Sequence, residues 1–392
     1  MSGTGAKHYD FILAGGGAAG LSLAYHLTRG PFRDARLLIV DEQVKRHNDH
    51  TWCSWLREGA LFDPIAYRSW ERLAFRAPGL EREFALAPYR YRMLRAADFY
   101  RFTRAALTTL PGVDFLTGTV THVSDGPERA EIYVNELSFT ADWVFDSRYR
   151  AADYHPLDRR HHYLYQHFLG WEIETVTPVF DPACPTFFDF RTPQRGAMRF
   201  VYVLPFTARR ALVEYTLFSG HLLPRAEYEA ALQAYIGEVL GVGRYHLLEE
   251  EYDLIPMTDR PFPRRAGRRV LNVGTRGGRV KASTGFAFHR IQQDAAAIVR
   301  SLEREGHPFA LPGSSRLFRF TDSVLLQLLE RRGDLGAPVF TALFRNNPID
   351  RIFRFLDEES SLMEVLQVMA SLPPWPFLRA AFRNALRKSH TL

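Results

Sequence analysis

The chain has 392 residues, too many for one small hydrophobic core, which predicts two or three structural units. Its apolar share of 46% and charged share of 24% are typical of globular proteins and exclude general disorder. The net charge of +6 suits an anionic membrane surface or a phosphorylated cofactor, whereas nucleic acid is least favoured because zinc-finger spacing, an RNP-type motif and a helix-turn-helix pattern are all missing.

A glycine-rich turn near the start of the chain is the strongest local signal. An apolar segment at residues 9–14 leads into GGGAAG and then into the helix-like residues 21–27. On the G-x-G-x-x-G spacing the first glycine allows a tight turn, the second lets the backbone approach a pyrophosphate, and the third lets the helix pack against the strand. A second apolar strand at residues 36–40 ends at an acid placed to bind ribose hydroxyls.

This pattern predicts a Rossmann-type dinucleotide site, and the alternative is a βαβ unit that is merely tightly packed. The predicted cofactor contacts in this unit are Gly15, Gly17, Ala18, Ala19, Gly20 and Asp41.

The middle of the chain predicts mainly strands. Residues 68–91 alternate apolar and charged side chains, which is typical of strands, and residues 95–110 have the spacing of an amphipathic helix. Residues 200–206 and 211–218 are joined by a short turn and predict an antiparallel hairpin, followed by a helix at residues 225–239. Further short strands are predicted at residues 113–116, 119–123, 130–134 and 143–148.

The last part of the chain predicts a return to the first fold. Residues 268–274 form a strand that ends in glycine, residues 286–302 form an Ala-rich helix, and the chain is helical from residue 318. We therefore predict an α/β (α+β) two-domain protein in which a Rossmann-type domain is interleaved with an antiparallel-sheet substrate domain. The predicted units are residues 1–150 for the dinucleotide-binding domain, with strands near 68–94 on the substrate side, 151–255 for the substrate domain, 256–313 for the return, and 314–392 for a C-terminal helical region.

Glu214 is the main candidate for chemistry. In an alternating strand it shares a face with Leu212, Thr216 and Phe218. A carboxyl group on an apolar face has a raised pKa because burial disfavours its charged form, so it could deliver a proton or stabilise a cation. From the pattern alone, a Glu on the solvent face of a sheet is the favoured interpretation.

Three other acids stand out in the sequence. Asp189 is flanked by aromatic residues, and an ion pair with Arg191 or another arginine is favoured over its candidate catalytic role. Glu172 and Glu174 project from one strand face and fit a solvated edge. Two pairs of histidines, at residues 47 and 50 and at residues 161 and 162, lack a third metal ligand at useful spacing, so no metal site is predicted.

The glycine-rich stretch at residues 274–285 is the second cofactor signal. A strand that ends in glycine and leads through small residues into a helix can present backbone N–H groups to a phosphate or a flavin edge. An ordinary loop is the alternative. The predicted contacts here are Gly274, Gly277, Gly278, Thr284 and Gly285.

The expected compartment is the cytoplasm. Cys53 and Cys184 form no C-x-x-C pair and are expected to be reduced thiols. The first strand begins so close to Met1 that no signal peptide is expected, and no apolar run is long enough to span a bilayer.

The chain resembles the flavin-dependent lycopene cyclases over nearly its whole length. Besides the glycine turn, the resemblance rests on HTWCSW at residues 50–55, QHFLGWEIE at residues 166–174 and KASTGF at residues 281–286. The hairpin strands and Asp189-Phe190-Arg191 complete it. Plant-type members have two adjacent glutamates where this chain has Glu214 and Tyr215, so the resemblance implies one essential glutamate, Glu214.

The resemblance implies a β-cyclase reaction without net redox change, which closes the acyclic ends of lycopene or of other acyclic carotenoids. It implies reduced FAD as the cofactor, NAD(P)H as its reductant, and Glu214 as an acid or a stabiliser of the cation. The alternative is a redox flavoprotein: a monooxygenase, halogenase or isoprenoid reductase acting on an apolar substrate. The aromatic hydroxylases of similar fold usually have Gly-Asp where this chain has Gly274-Thr275, which weakens that alternative.

A basic, partly amphipathic stretch at residues 373–388 contains no acidic residue. Because lycopene resides in membranes, this stretch predicts peripheral contact with an anionic membrane surface. A helix packed on the protein with solvated arginines is the alternative.

Overall fold

The computed structural model describes residues 6–150 and 160–389. The strands, in chain order, are β1 (Lys7–Ala14), β2 (Leu37–Asp41), β3 (Thr51–Arg57), β4 (Arg68–Trp70), β5 (Arg72–Ala77), β6 (Leu80–Ala85), β7 (Tyr89–Arg95), β8 (Val113–Thr117), β9 (Val120–Asp125), β10 (Ala130–Val134), β11 (Leu137–Asp146), β12 (Tyr163–Thr175), β13 (Thr186–Asp189), β14 (Met198–Pro205), β15 (Arg210–Ser219), β16 (Tyr245–Thr258) and β17 (Val270–Asn272).

Within the described residues, the α-helices lie in three parts of the chain: two in the first third, one after the central hairpin, and a series in the last third. They are α1 (Ala18–Arg29), α2 (Ala96–Thr108), α3 (Arg225–Ala234), α4 (Phe288–Glu305), α5 (Arg316–Arg332), α6 (Gly336–Asn346), α7 (Ile349–Leu356), α8 (Leu362–Ala370) and α9 (Pro374–Ser389).

The first sheet is the Rossmann-type unit. Its strands β8, β2, β1 and β11 lie side by side and are parallel, so their carboxyl ends meet at one edge. Strand β17 adds to β11 in parallel, which brings the chain back to this sheet after the central strands. The α/β fold class predicted from the sequence is confirmed, whereas the domain boundaries at residues 150, 255 and 313 stay predictions.

The second sheet is mainly antiparallel and has the strand order β16-β12-β15-β14-β13-β5-β6. The predicted hairpin is present as β14 and β15, with Tyr202 directly opposite Glu214. Side chains alternate between the two faces of these strands. One face carries Val213 and Tyr215 and is covered by α3, whereas the other carries Leu212 and Glu214.

A small third sheet, with the order β3-β7-β4, connects these units through aromatic rings. Trp52 of β3 stacks on Phe288 of α4 with ring centroids 5.2 Å apart. Trp55 of the same strand stacks on Phe353 of α7 at 4.7 Å. Strand β3 is thereby held between the Rossmann-type unit and the C-terminal helices, and its position sets one wall of the space between the two large sheets.

The predicted helix at residues 225–239 is not uniform. Regular α-helix ends at Ala234, and residues Tyr235–Val239 form a wider π-helical turn. The Tyr235 hydroxyl then donates a hydrogen bond to Asp189 Oδ2 at 2.7 Å. Periodicity did not predict this turn, because an α-helical and a π-helical turn are indistinguishable over five residues.

The position of Asp189 argues against its candidate catalytic role. Asp189 lies opposite Val201, so its side chain projects toward α3, on the face of the sheet away from Glu214. Its carboxylate is fully buried and accepts hydrogen bonds from Arg191 Nη2 at 2.7 Å and from Tyr235. The structure supports the ion pair, and we do not retain Asp189 as a catalytic residue.

We predict that Asp189→Ala lowers the free energy of unfolding by about 1–3 kcal/mol, because it leaves the buried Tyr235 hydroxyl without its acceptor. Denaturant unfolding of the purified variant measures this loss, with Glu174→Gln on the exposed face of β12 as the control. Wild-type stability combined with abolished activity would contradict the structural role and return Asp189 to the catalytic candidates.

Candidate active site

The glycine turn between β1 and α1 has three different steric constraints. Gly15 has φ +115°, and a Cβ there would overlap Ser147 Oγ. A Cβ at Gly20 would overlap the carbonyl oxygen of Gly15, so the helix can approach the strand only without a side chain. A Cβ at Gly17 would meet no atom within 4 Å. Gly17 therefore borders open space, as the motif requires at the residue that approaches a pyrophosphate.

Backbone donors converge at this turn. The first N–H groups of α1, on Ala18 and Ala19, have no acceptor within the helix, and the helix dipole adds partial positive charge. Asp41 lies beside them at the end of β2, where its Oδ2 accepts a hydrogen bond from the Gly16 N–H at 2.7 Å. These groups fit the pyrophosphate and ribose of a dinucleotide.

A cavity runs from this helix end to the second sheet and encloses about 1600 Å³, including its open mouth. Gly17, Ala18 and Ala19 line one end, and Glu214 lies in the lining from the second sheet. The walls between are mostly apolar and aromatic: Trp52, Tyr91, Phe168, Tyr202, Leu204, Ile255, Phe286 and Phe288.

Only some of the cofactor contacts predicted in the glycine-rich stretch at residues 274–285 line this cavity. Gly274 (φ +60°) and Gly285 (φ +74°) line it, and a Cβ at Gly274 would lie 2.6 Å from Ala19 Cβ. Thr284 is buried, and its hydroxyl has no hydrogen-bond partner among the described residues. Gly277 and Gly278 line a neighbouring arginine-rich pocket. Their role as cofactor contacts stays a prediction.

Glu214 lies in the cavity wall with only 9% of its surface exposed, so its interpretation as a solvent-facing residue is wrong. Its Oε1 accepts a hydrogen bond from the Thr216 hydroxyl at 2.9 Å. Burial, and then the negative charge of Glu251, raise the pKa of Glu214 to about 8. This shift favours the protonated form of Glu214 in comparison with an exposed glutamate.

A second carboxyl group in the same wall was missed by the sequence reasoning. Glu251 of β16 is 8% exposed, and its Oε1 accepts the Thr51 N–H at 2.8 Å. The available signal was the alternation of acids in β16, where Glu249, Glu251 and Asp253 share a period of two. In a strand with this many exposed residues, that alternation indicates a solvated face, and only the tertiary structure buries Glu251.

The cavity also contains one cationic histidine. Burial alone would lower the pKa of His50, but its contacts with Asp253 (2.9 Å from Nε2) and Asp49 (3.4 Å from Nδ1) raise the pKa to about 10. His50 is thus an ion-paired cation. Within residues 6–150 and 160–389, no three His, Cys, Asp or Glu side chains are grouped to hold a metal ion.

Glu172 and Glu174 differ in environment although both belong to β12. Glu172 is buried and forms ion pairs with Arg95, at 2.7 Å, and with Arg210. Glu174 is exposed. The solvated edge expected from the sequence is therefore correct for Glu174 and wrong for Glu172, which lies in a neighbouring pocket beside Glu251.

Comparison with known proteins places the whole chain in one group. The family model described as "Lycopene cyclase protein" matches residues 10–382. A lycopene beta-cyclase of Paracoccus sp. (strain N81106 / MBIC 01143) is 26% identical over 389 residues, covering 94% of this chain and 95% of the relative. A lycopene beta-cyclase of Pseudescherichia vulneris is 25% identical over 408 residues, covering 96% and 97%.

Solved structures share the fold at low identity. A geranylgeranyl bacteriochlorophyll reductase-like protein from Thermoplasma acidophilum has a TM-score of 0.62 and 14% identity, covering 96% of this chain and 99% of that chain. The flavin-dependent monooxygenase PieE, solved with FAD and substrate, has a TM-score of 0.60 and 15% identity, covering 97% and 72%. The fold is that of FAD-dependent flavoproteins.

We predict that Gly17→Val folds normally but loses the bound dinucleotide, because its side chain enters only the open space beside the helix end. Gly20→Ala instead forces the helix away from the turn and lowers the free energy of unfolding by about 1–3 kcal/mol. Thermal unfolding, together with the cofactor content of each purified variant, separates the two effects. Wild-type cofactor content in Gly17→Val would contradict the assignment of this turn.

Proposed function

The chain belongs to the lycopene cyclase family, and from this premise we propose that it closes the acyclic ends of lycopene into β-ionone rings. One ring gives γ-carotene and two give β-carotene. The reaction is an isomerisation, because a proton is added to one carbon atom and removed from another with no net electron transfer. The observation that carries the proposal is Glu214, a buried carboxyl group in the wall of the cavity that extends from the glycine turn, where burial raises its pKa.

FAD is the cofactor that fits the dinucleotide groups described above. The N–H groups of Ala18 and Ala19 would bind the pyrophosphate, and Asp41 the ribose hydroxyls. The backbone at Gly274 and Gly285 would border the flavin end. When bound and reduced by NAD(P)H, FAD would supply negative charge that stabilises the cation formed in the reaction.

In the proposed mechanism Glu214 donates its proton to the terminal double bond of lycopene, and the chain closes on the resulting cation. The Glu214 carboxylate left behind then stabilises the positive charge, an interaction worth several kcal/mol in a low-dielectric site. The faces of Phe168 and Tyr202 in the same wall add cation–π attraction. Loss of a proton from the cation forms the ring double bond.

Exclusion of water is the second requirement of this mechanism. Water would capture a carbocation as an alcohol, and it would also hydrate Glu214 and lower its pKa. Phe168, Tyr202, Leu204 and Phe286 form an apolar part of the lining on the side of the cavity that carries Glu214. This apolar part favours the protonated form of Glu214 and prolongs the lifetime of the cation.

We further propose that the protein contacts the membrane peripherally through α8 and α9. In the described residues, no helix combines the length and apolar character needed to cross a bilayer. Helix α9 exposes Trp375, Leu378 and Phe382, each with about 60–70% of its surface accessible, and carries Arg379 and Arg383. Apolar side chains beside arginines fit the interface of an anionic bilayer, where lycopene would be taken up.

We predict that Glu214→Gln lowers the cyclisation rate by at least about 100-fold while FAD remains bound, because the amide has no proton to donate. Product analysis of lycopene-accumulating cells and FAD absorbance of the purified variant measure the two effects, with the exposed Glu174→Gln as the control. A Glu214→Gln variant that cyclises at the wild-type rate would remove Glu214 from the mechanism. Consumption of NAD(P)H in step with product would favour a redox flavoprotein instead.

We predict that replacing Trp375 and Phe382 together by Ser weakens binding to anionic phospholipid vesicles by about tenfold or more, because two large apolar side chains no longer enter the bilayer. Cosedimentation measures the change. Leu137→Ser, at an exposed leucine that begins β11, is the matched control. Equal binding of the double variant and the control would contradict this surface.

A further inference from the structure

Glu214 and Glu251 lie in one row across three neighbouring strands. Gly170 in β12 is directly opposite Glu214 in β15 on one side and Glu251 in β16 on the other. Directly opposed residues of antiparallel strands share a face of the sheet. The two carboxyl groups therefore project into the same cavity from backbones two strand spacings apart, about 9.5 Å.

The residue between them has no side chain. A Cβ at Gly170 would lie 3.5 Å from both Cβ and Cγ of Glu214, and 3.1 Å from Leu212 Cδ1. The Glu214 side chain thus lies over Gly170, in the direction of Glu251. A larger residue at this position would separate the two carboxyl groups, and glycine leaves them in mutual electrostatic contact.

The two carboxyl groups have different hydrogen-bond partners. Glu251 accepts the Thr51 N–H, a donor that cannot act as an acceptor and therefore favours the carboxylate. The partner of Glu214 is the Thr216 hydroxyl, which can donate to a carboxylate or accept from a protonated carboxyl group. The hydrogen bonds alone therefore place the proton of the pair on Glu214.

The charges around the pair also favour a protonated Glu214 and an ionised Glu251. Burial raises the pKa of Glu251, whereas Thr51 and the His50 cation oppose that rise. Two buried carboxylates side by side repel each other, so the pair holds one shared proton at neutral pH.

The titratable groups facing the pair come from five elements and the segment before β3: Lys45, Asp49, His50, Cys53, Tyr91, Tyr100, Tyr202 and Asp253.

We propose that Glu251 is the base that completes the reaction which Glu214 begins, an assignment that rests on the proposed cyclase function. The O–H bond of Glu214 breaks as a C–H bond forms on the terminal double bond. After ring closure, a C–H bond beside the cationic carbon breaks, its electron pair forms the ring double bond, and the proton passes to Glu251.

With Glu214 as the acid and Glu251 as the base, the number of protons on the pair is the same before and after each ring forms. The pair again holds one proton, now on Glu251, and exchange with water after the product leaves returns a solvent proton to Glu214. No oxidant or reductant is consumed. Because protonation and deprotonation occur on carbon atoms of one ring, two neighbouring carboxyl groups in one wall are suitably placed for both steps.

Glu251→Gln tests the assignment. Its amide oxygen still accepts the Thr51 N–H, so the fold is retained, and we expect the cyclisation rate to fall by about 100-fold or more with FAD bound. Activity of the wild type declines as the pH rises through the raised pKa of Glu214. A neutral amide removes the charge that raises this pKa, so the remaining activity of Glu251→Gln declines at a lower pH, a change that a merely structural role would not produce.

Glu249→Gln, in the exposed part of the same strand, is the matched control and is expected to keep the wild-type rate and pH profile. Glu251→Asp, which keeps a carboxylate, is expected to recover part of the rate. Infrared difference spectra across a pH titration need no substrate: the protonated-carboxyl band near neutral pH disappears in Glu214→Gln and titrates at lower pH in Glu251→Gln.

These measurements distinguish two failures. Wild-type rate and unchanged titration in Glu251→Gln would overturn the role of Glu251 even in an active cyclase. A wild-type chain that shows the shared proton but leaves lycopene unchanged would contradict the proposed function, while the pairing of Glu214 with Glu251 would stand.

Discussion

Burial disfavours the charged form of a carboxyl group, and the second sheet provides this environment for Glu214. The hairpin β14–β15 places Glu214 on the face that lines the cavity, with Tyr202 directly opposite. Across Gly170, the negative charge of Glu251 discourages ionisation further. The arginines nearest this wall, Arg95 and Arg210, are held by Glu172.

The Rossmann-type unit and the second sheet contribute different parts of the site. The glycine turn and Asp41 lie at the carboxyl edge of a parallel sheet, where dinucleotides bind in this class of fold. Solved proteins of the same fold include redox flavoproteins, so the fold alone does not specify the reaction. In this chain the residues that favour proton chemistry, Glu214 and Glu251, come from the second sheet.

The sequence predicted those features of the structure that depend on short stretches of consecutive residues. The glycine spacing, the acid after β2 and the central hairpin each depend on a few consecutive residues, and the structure contains all three. The sequence did not predict which face of the sheet Asp189 occupies, because that depends on its register with Val201. Glu251 was missed for a similar reason: its burial comes from Thr51 and Gly170, which are distant in sequence. Register and long-range packing are therefore the parts of the site that periodicity could not supply.

Deuterium labelling tests whether the protein adds and removes protons at carbon without transferring electrons. Lycopene is converted in deuterated water, the mass of the carotenoid formed is measured, and NAD(P)H consumption is followed in the same sample. We expect one deuterium for each ring formed, together with NAD(P)H consumption far below the amount of product. Unlabelled rings, or NAD(P)H consumed in proportion to product, would show that the protein does not work by proton transfer alone.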